Sequence, residues 1–441
     1  MQSGGCARLK PATLFRMPSS PPLTRNQVRG FWAAWAGWAL DGMDSFLYAL
    51  VLVPAMRDLL PRSGIRADQS NIGFYGGLMF AIFLTGWGCA FLWGPIADRF
   101  GRVRILILTI LCYSLFTFLG CVARTIWQLA AFRFAAGAGI GGEWTLGGVF
   151  IAEEWPERRR KNGCVFMHTG YYFGTFLAAL VNYTVGARYG WRAVFAVGGT
   201  PALLVAFILY GVVEPKRWVE RARQAGGGAW QSFAALFSAE YRRRTLVNAS
   251  LVFISMVGLW AGSAYVPASV TVLASREGMA APAAARTASD ATMLLSAGTI
   301  LGCLLLAVIA DRLGRRGSLA LYFTLMFASI AMAFGYAFYL PARALFWFLF
   351  CLLFLGVGGA NFAVYTLWLP EQYRTECRGS AFAFATSAGR FLAAGATFLV
   401  GAGVSRMHTI GTPVALTSLT FLAGLALLPW AEETKGKELP A

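Results

Sequence analysis

Five ionisable side chains stand inside long apolar runs of this chain. Asp41 and Asp44 lie three apart in "GWALDGMDSFLYALVLVP", Arg133 in "AAFRFAAGAGIGG", Glu143 in "GIGGEWTLGG" and Arg390 in "ATSAGRFLAAGA". A charge at the centre of a bilayer costs at least about 2.5 to 3.5 kcal/mol, so each of these residues needs a functional reason. A buried carboxylate is disfavoured by desolvation and favoured by a nearby arginine, so its proton affinity follows whichever partner is close. That is the physical requirement of a proton carrier. An arginine in the same setting offers a carboxylate two parallel hydrogen bonds. The chemistry implied is movement of protons and anions. A phosphate-binding loop, a metal-ligand cluster and a nucleophile with its base are all missing from the sequence, so no enzyme and no cofactor are expected.

These residues have to be held by helices that cross a membrane. The chain has 441 residues, of which 57% are hydrophobic and 13% charged, far more apolar surface than a water-soluble domain needs. A spanning helix takes about 20 apolar residues for a hydrocarbon core of about 30 Å. Twelve such runs occur, the first at 31–56 and the last at 412–430. The expected fold is an all-α membrane protein with twelve transmembrane helices. The formal net charge of +18 invites a nucleic-acid reading, but its placement opposes one. With a cytoplasmic N-terminus, 26 Lys and Arg fall in tails and inner loops and ten in outer loops. That is the positive-inside asymmetry, and it puts both termini in the cytoplasm. No apolar stretch precedes Phe31, so no cleavable leader is expected. The eight cysteines show no C-x-x-C spacing and indicate neither a disulfide framework nor a zinc site.

The chain repeats itself. "GPIADRFGRVR" returns as "AVIADRLGRRG" at an offset of 213 residues, and Glu153 with Arg160 returns as Glu371 with Arg378 at an offset of 218. Two motifs recurring at nearly one offset indicate two pseudo-symmetric bundles of six helices, a transporter signature. The boundaries expected are a tail over 1–29, bundles over 30–213 and 245–431, a central loop over 214–244 and a tail over 432–441. In the central loop Trp230, Phe233, Leu236 and Phe237 share one helical face. Two readings stay open for it, an amphipathic helix on the inner membrane surface and a linker with one apolar patch. In the repeated loops, Asp98 with Arg99 and Arg102, and Asp311 with Arg312 and Arg315, have the chemistry to latch helix ends by charge-assisted hydrogen bonds. Glu153 with Arg160 and Glu371 with Arg378 have it too. Contacts made only when one gate is closed would give the transporter a switchable element.

These motifs carry a resemblance. The doubled loop is similar to the loop signature of the major facilitator superfamily, "RFAAGAGIGG" resembles its fourth-helix signature, and "EETKGKELP" resembles the ending of its sugar and organic-acid branches. "LDGMD", "GIGGEW" and the "GR" of the eleventh run resemble its aromatic-acid, sialate and lactate proton symporters. The D-G-x-D motif of those symporters maps onto Asp41, Gly42 and Asp44. The resemblance implies the superfamily fold, with the first and fourth helices lining a central cavity. At about 1.5 Å per residue, Asp44 lies about 20 Å from the inner end of its helix and Arg133 about 9 Å from the outer end of its own. In a core of about 30 Å those depths coincide, so an Asp44–Arg133 ion pair is expected. It serves either as a proton site or as a fixed packing bridge.

The expected proton-coupling residues are therefore Asp44, Asp41 and Glu143. For Arg390, an unpaired buried cation would be costly. It calls for a substrate carboxylate or for an acid from another helix. Arg133, Tyr48, Tyr171, Tyr172, Trp260, Asn361 and Tyr365 are candidates to wall the same pocket. His168 is read as a capping or packing residue, and His408 is assigned no role.

The leading expectation is uptake of a small organic anion with protons by a monomeric carrier in the plasma membrane. A sugar or polyol porter is weakened by the absence of a glutamine-rich seventh helix. An exporter is weakened by the absence of a Gly-Pro pair in the fifth, and a non-transporting sensor by the lack of a signalling domain.

Overall fold

The computed structural model describes residues 23–93, 96, 102–140, 151, 155–200, 233–437 and 440. Asp98, Arg99, Glu143 and Glu153 lie outside the described residues, as does the side chain of Arg102. Among the described residues the chain is helical, without strands. In the first part, α1 covers Arg25–Arg62, α2 Gln69–Gly88, α3 Arg102–Leu119, α4 Ile126–Gly139, α5 Glu157–Val181 and α6 Trp191–Val197. In the second, α7 covers Arg242–Met256, α8 Val266–Arg276, α9 Ala281–Ile330, α10 Ala344–Gly359, α11 Asn361–Trp368, α12 Thr375–Met407, α13 Gly411–Leu416 and α14 Leu419–Leu427. Eight of the described segments are long and apolar enough to cross a membrane.

Local chemistry sets where these helices start. Thr24 opens α1 with a capping box, its hydroxyl accepting the Gln27 N–H while the Gln27 side chain accepts that of Thr24. Asp68 caps α2 by accepting the Asn71 N–H at 2.8 Å, and Thr125 caps α4 in the same way. The outer faces are apolar. On α3 and the short turn over Gly120–Val122 that continues it, Leu108, Leu111, Leu115, Phe118 and Val122 are exposed at alternating spacings of three and four, a stripe along one side. Leu301, Leu304, Leu305 and Val308 repeat this on α9. Water would not tolerate such stripes, and lipid solvates them.

The first part of the chain packs on the second along two seams, α2 against α12 and α5 against α9. Both seams use hydroxyl and amide pairs. Ser70 meets Ser405 at 2.6 Å, Thr175 meets Ser296 at 2.7 Å and Asn182 donates to Ser289 at 2.9 Å. Short polar side chains let helices approach closely and bond across the gap.

Between α7 and α8 the backbone widens into a π segment over Val257–Gly262 and then tightens over Ser263–Tyr265, so Trp260 and Tyr265 sit on an irregular stretch. Of the apolar face of the central loop, Trp230 lies outside the described residues, and Phe233, Leu236 and Phe237 pack on protein. Leu236 is fully buried beside Tyr241, Tyr373, Cys377 and Ala381, and Phe233 and Phe237 meet Phe384 of α12.

Candidate functional site

The D-G-x-D stretch owes its position to its glycine. A Cβ on Gly42 would stand 2.0 Å from the Tyr171 carbonyl oxygen, so only glycine lets α1 and α5 come this close. The approach buries both aspartates completely. Asp44 accepts a hydrogen bond from the Thr117 hydroxyl of α3, and its other oxygen lies 3.9 Å from Nη1 of Arg133 on α4. That separation is a charge contact without a hydrogen bond. Among the described residues, Asp44 Oδ2 and Arg133 Nη1 and Nε make no hydrogen bond.

Each central arginine lies over an aromatic ring of α2. The Arg133 guanidinium sits 4.1 Å from the Phe83 centroid and 5.6 Å from that of Tyr48, and the Arg390 guanidinium of α12 sits 4.4 Å from that of Trp87. Phe83 and Trp87 are four residues apart, one above the other on one helix face. Ring faces attract cations more strongly where water is excluded. Trp260 closes the group, its ring 5.8 Å from both Phe83 and Trp87, 6.0 Å from Phe46 and 6.2 Å from Phe80.

Asp41 and Tyr171 lie within coulombic reach of Arg390. Both come from other helices, Asp41 from α1 and Tyr171 from α5. The centre holds two groupings, Asp44 with Arg133 and Asp41 with Tyr171 and Arg390, linked by the short turn of α1 that carries both aspartates.

Other expected pocket residues are held by hydrogen bonds of their own. Tyr172 donates to the Gly359 carbonyl at 3.0 Å, and Asn361 donates to that of Gly358 at 2.9 Å. Both serve carbonyls released where α10 ends and α11 begins. Tyr365 meets the Ser255 hydroxyl at 3.0 Å, and Tyr48 donates to Gly76 at 3.5 Å. His168 is buried among Trp38, Tyr172 and Phe362, with Thr366 3.3 Å from its Nδ1. His408 ends α12 in a left-handed, exposed position.

A second cluster forms where α9 bends. Gly314 has φ of 75°, a conformation that suits glycine. The bend turns the N–H groups of Arg315 and Arg316 onto Glu433 at 3.0 and 3.1 Å. A Cβ on Gly314 would stand 2.6 Å from that carboxylate. Arg315 grips Glu371 with two hydrogen bonds of 2.9 and 2.7 Å, and Thr434 adds a third at 2.5 Å. Arg378 donates to the carbonyls of Pro370 and Pro440, both at 3.0 Å. Lys161 of α5 reaches Asp311 of α9 at 2.5 Å, bridging the two parts of the chain. Lys435 donates to the Arg312 carbonyl at 3.0 Å, and Arg244 meets Glu432 at 2.6 Å. Arg160 lies in the first turn of α5. Burial opposes ionisation of Glu433, but the surrounding N–H donors outweigh it and hold the carboxyl below its ordinary range.

Sequence reasoning missed Thr117, Phe83, Trp87 and Glu433. A lone threonine in an apolar helix carries no signal. The aromatic pair at i, i+4 and the acidic pair in "EETKGKELP" were visible as patterns without an assigned use.

A membrane-embedded helical bundle with buried charges at its centre is the architecture of a transporter. The chain belongs to the Major Facilitator Superfamily, whose sequence profile matches residues 34–397. It is 30% identical to the protein named "Probable 4-methylmuconolactone transporter" of Cupriavidus pinatubonensis, over 93% of this chain and 92% of that one. It is 27% identical to the niacin transporter of Acinetobacter baylyi, over 95% and 97% of the two chains. Its fold matches the xylose transporter of E. coli in a partially occluded inward-open form, with a TM-score of 0.71 at 20% identity, covering 94% of this chain and all of that one. The protein is a multi-pass membrane transporter with organic-acid carriers among its relatives, and not an enzyme.

Proposed function

We propose that this protein takes up a small organic anion, a mono- or aromatic carboxylate, together with protons by alternating access. The observation that carries this reading is the wholly buried Asp44 held 3.9 Å from Arg133, with Asp41 and Arg390 beside it. A carboxylate at that distance shares no proton with its arginine, so protonation releases the cation and deprotonation recaptures it. A substrate carboxylate arriving at either guanidinium competes for the same charge, which couples anion binding to proton binding. Co-transport of a monoanion with one proton moves no net charge. The membrane potential, worth about 2.3 kcal/mol per charge per 100 mV, then does not oppose uptake. The relatives named for niacin and 4-methylmuconolactone support an organic-acid cargo.

The architecture that goes with this reading has twelve spans in two bundles, over 30–213 and 245–431. Both termini are cytoplasmic, the unit is a monomer and the site is the plasma membrane. The cluster of Arg315, Glu371, Glu433, Lys161 and Asp311 serves as its inner gate. Asp98, Arg99, Arg102, Glu153, Arg160, Arg312 and Arg378 complete the gate, and Glu143 offers a second proton site. Tyr48, Tyr172, Trp260, Asn361 and Tyr365 wall the substrate cavity as the carrier opens.

Uptake of radiolabelled mono-, di- and aromatic carboxylates into proteoliposomes under an imposed pH gradient tests the proposal. Proton-dependent accumulation of at least one is expected, and none for any would overturn it. A sugar or polyol porter would not need two central arginines, and binding of uncharged sugars but not carboxylates by the purified protein would select that alternative.

A further inference from the structure

A cavity of about 430 Å³ opens between the two parts of the chain, at the end of the bundle away from Arg315 and Glu371. It is within the size range of small-molecule sites. Arg57 of α1 and Arg276 of α8 line it together with Gln69, Thr271 and Ser275, and Tyr265 is among its buried lining. None of the described lining residues is acidic. The acid nearest Arg57 in sequence, Asp58, is engaged elsewhere, by Arg62 at 2.9 Å and by Arg192. Arg276 is held in place by donating to the Phe338 carbonyl at 3.1 Å, with its guanidinium 4.7 Å from the Phe338 ring centroid.

Tyr265 is 3% exposed, and its hydroxyl makes no hydrogen bond among the described residues. A buried hydroxyl in this state costs free energy until a partner arrives. Its ring lies 5.9 Å from Phe80, which lies 6.2 Å from Trp260. The cavity therefore stands two ring contacts from the aromatic residue that closes the arginine centre. Tyr265 and Trp260 also share the irregular stretch between α7 and α8.

We infer that this cavity is an antechamber that binds the organic anion before it reaches the centre. Arg57 and Arg276 attract its carboxylate, and the Tyr265 hydroxyl donates to it. The inference rests on the anion-carrier reading for the identity of the ligand. Two cations that form no ion pair among the described residues, in a cleft with low-dielectric walls, concentrate anions and reject cations. A site of this kind raises the capture rate without taking part in the central exchange of protons.

The test uses the full-length protein with Ser275→Cys at the exposed rim, read against unmodified protein for background thiols. Reaction rates are measured with anionic sulfonatoethyl and cationic trimethylammonioethyl methanethiosulfonate, each normalised to a free thiol in solution. The anionic reagent is expected to be favoured about tenfold, with the preference lost when Arg57→Gln and Arg276→Gln are added. Benzoate is expected to slow the reaction of Ser275→Cys. A cation preference, a ratio indifferent to the arginines, or no benzoate protection would each overturn the inference. In proteoliposomes the Arg57→Gln, Arg276→Gln protein should show KM for a transported carboxylate raised about tenfold with kcat within twofold, and an unchanged KM would overturn it. If the unaltered protein carries no carboxylate, the anion-carrier reading fails while the thiol rates still decide the charge of the antechamber.

Discussion

Asp44 and Arg133 meet at 3.9 Å with almost no exposure, whereas Arg315 grips Glu371 through two hydrogen bonds at about a tenth exposure. The chemistry is the same and the engineering differs. At the latch the lone pairs of the carboxylate are taken by Arg315 and Thr434, and the neighbouring Glu433 collects backbone donors. At the centre one aspartate oxygen and two arginine nitrogens make no hydrogen bond among the described residues, and the guanidinium rests on a ring. A satisfied pair is held in one geometry, whereas an unsatisfied buried one carries a cost that a new partner relieves. The comparison separates a contact suited to holding helices from one suited to exchanging a proton.

The largest effect is expected at the centre. Asp44→Asn should abolish proton-driven accumulation while leaving substrate exchange intact, measured as counterflow and gradient-driven uptake in the same vesicles. Intact accumulation would move the proton site to Asp41 or Glu143. Arg133→Ala leaves a buried carboxylate without its cation and should cost about 3 to 5 kcal/mol of stability, seen as a fall in melting temperature in detergent. Combining Arg133→Gln with Asp44→Asn should recover much of that loss, because no uncompensated charge remains.

At the latch, Glu371→Gln keeps the shape and removes the charge. It should cost about 1.5 to 3 kcal/mol in the same melting assay, since hydrogen bonds to charged groups are worth that much. Proton-driven accumulation should persist, and its loss would erase the distinction between the two regions. Gly314→Ala imposes a left-handed penalty of about 1 to 2 kcal/mol, besides pressing on Glu433. The smallest effect belongs to Lys161→Gln, an exposed pair worth about 0 to 1 kcal/mol. Glu433 contributes through pH. Its folded carboxyl titrates below the ordinary value, so its stabilisation is present above the ordinary carboxylate range and is lost as pH falls through the folded value. Glu433→Gln should flatten the acid limb of stability against pH, which a melting series between neutral and acid pH will show.

Much of this was readable along the chain because membranes impose strong one-dimensional rules. Apolar runs of a set length, charges kept out of them and basic residues gathered in alternate loops identify a polytopic helical protein before any contact is known. The repeated A-D-R-x-G-R spacing marked the loop as a charged latch, whereas the left-handed backbone at Gly314 was not read from it. Depth along a helix follows from counting residues, so Asp44 and Arg133 were comparable in height from the start.

Rotation about the helix axis and the approach of distant helices leave no trace in residue counting. Thr117 joins Asp44, Tyr171 and Asp41 reach Arg390, and Arg315 takes Glu371 because α1, α3, α5, α9 and α12 turn particular faces toward one another. Those faces are selected by close packing, as at Gly42 against Tyr171, where a single methyl group would push two helices apart. Charge number, depth and repeat were properties of the sequence. Which carboxylate meets which arginine depends on the side-chain packing between helices that are distant in sequence, and only the tertiary structure decides it.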